Sequence, residues 1–171
     1  MKRAIVLAAL TIALAVPASA QRLNFDFGAI ADRASETVDV TLDGPMLRFA
    51  LKFLSDDQAD ERSVKDMVRK LDGIYVRSFE FDEDGAYDHR LIDRLRSQLG
   101  PSWKKIVTVQ SRTRENVDIY TDMRGEAIAG LVIISADPRE LTVVNIVGPI
   151  DLDRLADLEG KFGIPRTTKE K

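Results

Sequence analysis

Ala127-Ile-Ala-Gly-Leu-Val-Ile-Ile-Ser135 decides the fold of this chain. The run is almost wholly apolar, so as a strand it has no face suited to water and belongs at the centre of a sheet, covered on both sides. Turn chemistry bounds it: Arg124-Gly125 precedes it and Asp137-Pro138 follows. Working outward, Lys104–Ser111 and Asn116–Met123 lie before it and Leu141–Val147 after it, all strand-like and joined by short polar turns of hairpin length. Four consecutive hairpin strands make an antiparallel sheet.

Upstream, two more strands are expected. Glu36–Leu42 alternates, with Val38, Val40 and Leu42 on one side and Thr37, Asp39 and Thr41 on the other. Ile74–Phe81 places Tyr75, Phe79 and Phe81 on one face and Ile74 and Val76 on the opposite one. Between them, Asp43-Gly44-Pro45 breaks the first strand and starts a helix, Pro45 suiting the first turn. Met46, Phe49, Ala50 and Phe53 share one face of that helix, with Leu47, Leu51 and Leu54 beside it, and the spacing predicts a largely buried helix. A second helix follows the acidic loop Asp56–Asp60, with Val64, Met67, Val68 and Leu71 at i, i+3, i+4 and i+7. Asp72-Gly73 should end it, Gly73 being free to take a positive φ. A third runs from about Tyr87 to Leu99, with Leu91, Ile92, Leu95 and Leu99 inward, and Asp151 caps a last one striped by Leu152, Leu155, Leu158 and Phe162. Strand and helix do not alternate throughout, so the predicted class is α+β: a mostly antiparallel sheet of five or six strands with helices packed on one face.

The first twenty residues read as an address. Lys2 and Arg3 precede an apolar run from Ala4 to Val16, then Pro17 and Ala18-Ser19-Ala20, the order of a secretory signal with an A-x-A cleavage site. The expected organisation is a signal at 1–20, a lead segment at 21–36, one α+β domain at 37–165 and a disordered tail at 166–171. A periplasmic or secreted location follows from it. The net charge is −3 over 171 residues and becomes more negative without Lys2 and Arg3, which argues against a nucleic-acid partner. There is no cysteine, so disulfides, thiol catalysis, thiolate metal sites and a lipid-modified cysteine are excluded, and one histidine, His89, cannot build a multi-imidazole zinc site.

Few residues suggest chemistry. Glu80, Asp82, Asp84 and Asp88, with Gly85 among them, resemble the opening of a calcium loop, although Leu91 stands where a bidentate Glu is needed. Otherwise the segment is a solvated turn, with Asp84 or Asp88 capping the next helix. His89 has Asp88 beside it and Asp93 one turn on, yet no nucleophile in a recognisable setting. Acid pairs such as Asp56/Asp57 and Asp151/Asp153 read as solvated faces. Trp103, Lys104, Lys105, Arg112 and Arg114 read as a basic-aromatic surface or as edge-strand lysines that discourage edge pairing.

The segment Leu141-Thr-Val-Val-Asn-Ile-Val-Gly-Pro-Ile-Asp-Leu-Asp-Arg-Leu155, with Val38-Asp-Val-Thr-Leu42 and Asp72-Gly-Ile-Tyr-Val-Arg77, resembles an exported bacterial family catalogued as a domain of unknown function, 4252, from about Thr37 to Leu158. In that family a V-N-I-x-G turn precedes an acidic residue and a helix. Asn145-Ile146-Val147-Gly148 matches, Pro149 stands where an acidic residue is more common, and Asp151 still supplies the cap. Many relatives carry a lipid-anchoring cysteine after the signal, absent here. The resemblance implies compartment and fold class and transfers no active site. The functional expectation is a non-enzymatic envelope module, without cofactor, that binds a protein or peptide partner at an exposed sheet edge. The alternatives are a small-ligand carrier whose cavity is lined by Phe49, Phe53 and Phe79, and a small hydrolase in which Asp82, Asp84, Asp88 and His89 point into one pocket.

Overall fold

The apolar run at 127–135 does lie inside a sheet. In a computed structural model, which describes residues 22–53, 59–111, 116–125 and 127–151, the elements in chain order are β1 (Glu36–Asp43), α1 (Gly44–Ala50), α2 (Ala59–Val68), β2 (Gly73–Glu80), α3 (His89–Ser97), β3 (Trp103–Val109), β4 (Asn116–Arg124), β5 (Ala127–Ala136) and β6 (Glu140–Ile150). The six strands form one sheet in the order β1-β2-β6-β5-β4-β3, each pair antiparallel. Four strands are the expected hairpin run. The chain joins this meander to the β1–β2 pair by laying β6 against β2, from Glu80↔Glu140 to Gly73↔Val147. The signal, Gln21, the Asp56-Asp57 loop, the C-terminal helix and the tail lie outside the described residues.

Register decides what each face carries. Phe79, Leu141, Ala136 and Asn116 stand in one row across β2, β6, β5 and β4, and Val143, Ile134 and Asp118 in the next. Onto this face α3 brings Leu91, Ile92 and Leu95, all buried, while the 3-10 turn Gly28–Arg33 adds Ile30. The lead packs Leu23, Phe25 and Phe27 against the same core, Phe27 tilted on Phe79 with ring centroids 5.0 Å apart. The lead is therefore an ordered strap over the sheet. Trp103 closes the β3 side above Gly130, where a Cβ would come within 3.0 Å of its ring. The one glycine in the apolar run is the seat of the indole.

The first helix departs from expectation. Asp43 caps it, accepting from the Met46 N–H at 3.0 Å, with Gly44-Pro45 opening the first turn as predicted. Leu47 and Leu51 turn inward, however, while Met46, Phe49 and Phe53 are 48, 54 and 77 % exposed. Both sides of this helix are apolar, and only the leucine side is buried. Leu47 and Leu51, with Leu71 and Leu131, are buried outside the cluster that α3 covers. The fold is α+β in the broad sense, but its few short helices do not form a clear layer on one face. Gly73 has no positive φ; it begins β2, and a Cβ there would lie 2.6 Å from the Tyr75 hydroxyl oxygen. The third helix is two residues shorter at each end than expected, since Asp88 caps it through the Arg90 N–H at 2.9 Å.

These environments separate two phenylalanines. Replacing Phe79, which is 1 % exposed, by Ala should lower unfolding free energy by about 3–5 kcal/mol. Phe53→Ala should stay within about 0.5 kcal/mol of wild type. Urea unfolding of the two variants, followed by circular dichroism, measures both; equal losses would contradict the burial described.

Candidate functional site

Most of the acids singled out in the sequence go separate ways. Asp82 is exposed. Asp84 pairs in solvent with Arg139 Nε at 2.5 Å, and Asp88 accepts from the Arg90 N–H and from its Nε at 2.8 Å. The Arg90 N–H is the main reason the Asp88 carboxyl sits below its usual range. Glu80 ends β2 as an exposed residue. Among the described residues no three His, Asp or Glu side chains are placed to hold a metal ion, so the calcium loop is not assembled. The four-residue hydrolase cluster is not brought together either: His89 alone of the four lines a described cleft. Phe79 is buried in the core while Phe49 and Phe53 stack edge to face on the outside, 5.3 Å apart, so these three line no common cavity. Arg112, Arg114 and Asp153 lie outside the described residues.

The cleft at His89 has a volume of 560 Å³ and runs between α3 and the β3–β4 hairpin. His89, Asp93 and Arg96 form one wall, Thr108 and Asn116 the other, and Ile134 and Ala136 the floor. At its base is Asp118, only 4 % exposed. Its carboxylate accepts from Arg96 Nε at 2.8 Å, Arg96 Nη2 at 2.5 Å, Lys105 Nζ at 3.0 Å and Thr108 Oγ1 at 2.5 Å. Burial alone raises this pKa, but the bonds from Thr108, Lys105 and Arg96 outweigh it and the net shift is downward. Arg96 also reaches Asp93 at 2.9 Å, and Lys105 lies 5.3 Å from the Tyr120 ring centroid. This carboxylate is an anchor tying α3 to β3 and β4, with its oxygens engaged, and is poorly placed to act as a base. The sequence reading missed it because Asp118 lies on the polar side of an alternating strand, the side that turns inward here. Arg96, a cation one residue after the core Leu95, was the available signal.

Tyr87, beside His89 in a smaller cavity, donates to the carbonyl oxygens of Asp137 and Glu140. Burial first, then the charges of Asp137 and Glu140, push its phenol up to about 12, so it stays protonated. The V-N-I-x-G segment is equally structural. Buried Asn145 accepts from the Leu23 N–H at 3.0 Å and holds the lead on the sheet. Gly148 has φ 120°, and a Cβ there would lie 2.8 Å from the Asp72 nitrogen.

What remains unsatisfied is the rim of the sheet. β3 and β1 are its edges, and among the described residues no strand pairs with the outer side of either. On β3, Ile106, Val107 and Val109 are 51, 39 and 51 % exposed, and the register slips between Lys105 and Val107, leaving Ile106 unpaired as a bulge. Trp103 faces the core and Lys105 is held by Asp118, so the basic-aromatic grouping of the sequence is divided, with Lys104 left on the edge.

Asp118→Asn should cost about 1–3 kcal/mol at pH 7, because Arg96 and Lys105 then lose their anion but remain partly solvated. The folded pKa lies below the unfolded value of about 3.9, so the carboxylate's contribution is full above that pH and fades as pH falls through the folded value. Melting temperatures of wild type and variant should therefore converge as pH falls below about 4; a constant gap would show that the charge is not what stabilises.

No curated protein and no solved structure matches the chain. A family model does match, over residues 32–158, spanning every strand and the Asn145–Gly148 segment. The chain belongs to the family described as domain of unknown function (DUF4252).

Proposed function

We propose that this protein is an exported, non-enzymatic module of the cell envelope, periplasmic or secreted, that binds a protein or peptide partner by strand addition at the outer edge of β3. The observation that carries this reading is the apolar edge at Ile106, Val107 and Val109, with which no further strand pairs among the described residues. Edge strands of soluble proteins are commonly blunted by charge, proline or a covering segment. Here Lys104 and Lys105 occupy only the first half of β3, and the exposed apolar side chains of Ile106, Val107 and Val109 lie in the second. A bound strand would satisfy the free backbone groups of that edge and cover the valines in the same step. Export is supported by the basic, apolar and small-residue order of residues 1–20. Among the described residues no helix is long and apolar enough to cross a membrane. The polar cleft at His89 supports catalysis less well, since its deepest acid is committed to Arg96, Lys105 and Thr108.

A photo-crosslinking amino acid at Val109 should give discrete covalent adducts in the cell envelope. The same probe at Arg94, an exposed position on α3, should not. Adducts of equal yield from both positions, or none from Val109, would overturn the reading.

A further inference from the structure

The two free edges of this sheet are complementary to each other. β1 carries Glu36, Asp39 and Asp43 along its length, whereas β3 carries Lys104 and Lys105. Glu36 and Lys104 have no ion-pair partner among the described residues. Each edge also exposes valine: Val38 at 40 % on β1, matching Val107 and Val109 on β3. Pairing β3 with another β3 crowds both lysine pairs into one short ladder, and pairing β1 with another β1 crowds carboxylates. Only the unlike pairing is attractive, which is how charge selects among strand partners.

Strand direction agrees. Six strands that alternate in direction leave β1 and β3 antiparallel to one another across the sheet. A second molecule placed beside the first in the same orientation therefore presents its β1 to β3 in antiparallel sense, and the alternation continues. We propose that the β3 edge of one copy pairs with the β1 edge of a second copy, joining their sheets into one. This rests on the β3-edge reading and names its partner strand.

Register supports the same pairing. Val38 lies in the row of Ser78, Thr142, Ser135 and Val117, on the side of the sheet that also carries Ile119 and Val107. Setting Val107 opposite Val38 counts across the Ile106 bulge to place Lys105 opposite Asp39, on the other face. Asp39 is bonded to Arg77 at 2.8 Å and is 47 % exposed, so its carboxylate can take a second cation. The contact is head to tail, and it closes into a ring or continues as a filament according to the twist between copies.

The absence of cysteine makes a direct test simple. In one molecule Val38 and Val107 stand at opposite edges, five strand spacings or about 24 Å apart, so a disulfide between them must join two chains. Under mild oxidation, an equimolar mixture of Val38→Cys and Val107→Cys proteins should give the mixed dimer well in excess of either homodimer. Sedimentation velocity supplies the second arm. Val38→Asp and Val107→Asp, each of which sets an unpaired carboxylate on its edge at an exposed position and leaves the core untouched, should each lose the concentration-dependent association of the wild type. Their equimolar mixture, which keeps one intact β3 edge and one intact β1 edge, should regain it as a dimer. A wild-type chain that stays monomeric at all concentrations, or homodimers as abundant as the mixed one, would overturn the inference. If the Val109 probe still captures a different envelope protein, the strand-addition reading survives and only the identity of the partner changes. If it captures nothing, both fall.

Discussion

The pairing of β5 with β6 is the constraint on which the rest of this structure depends. It runs from Ala136↔Leu141 to Ile128↔Ile150, with one irregularity between Ile128 and Gly130. These two strands occupy the middle of the sheet, and their buried side chains contribute Val132, Ile134, Ala136, Leu141 and Val143 to the core beneath α3. A slip of one residue would turn every one of these to the opposite face. It would also carry Asn145 away from Leu23 and Gly130 away from Trp103, so the strap and the indole are both consequences of this register.

What the sequence made legible follows from how strongly each pattern is specified. All six strands were readable, the central one as an unbroken apolar run and Glu36–Leu42 most plainly by its alternation, with turn chemistry marking the ends. Strand order was only partly readable. The hairpins follow from short connections, but the β2–β6 contact joins residues some seventy positions apart, and no local signal announces it. The helix at Gly44–Ala50 was misjudged for a different reason. A helix with apolar residues on two sides has two candidate inward stripes, and periodicity does not rank Leu47 and Leu51 above Met46, Phe49 and Phe53. Packing ranks them. The same ambiguity hid Asp118: on β4, alternation separates Val117 and Ile119 from Asp118 and Tyr120, and the acidic set is the one that turns inward. The buried carboxylate is tolerated because Arg96, Lys105 and Thr108 converge on it from two neighbouring elements.

The candidate catalytic residues were visible one by one, but their mutual placement was not. Chemistry requires convergence, and here Asp84 and Asp88 found solvent-exposed arginines while His89 went to the rim of a cleft. The family's V-N-I-x-G segment was legible as a motif and is now explained physically. Asn145 fastens the lead to the sheet, and Gly148 lets β6 pass against the backbone of Leu71 and Asp72. Both roles concern folding and would persist in a protein whose partner had changed, so the motif marks the fold and says nothing about a reaction.

The even strand count gives the free edges a meaning that composition alone does not. In a sheet with an odd number of alternating strands the two edges run parallel, and a translated copy could add only by breaking the antiparallel pattern. With six, the edges run in opposite senses and the pattern continues through the junction without a new kind of hydrogen bond. The charges then act as a filter on that geometry. Lysine at one edge and carboxylates at the other oppose like-with-like pairing, the usual hazard of an open sheet, while leaving the unlike contact favourable. Edge lysines are ordinarily read as protection against association. On this sheet the same lysines discriminate among partners, because the opposite edge supplies the carboxylates they would need.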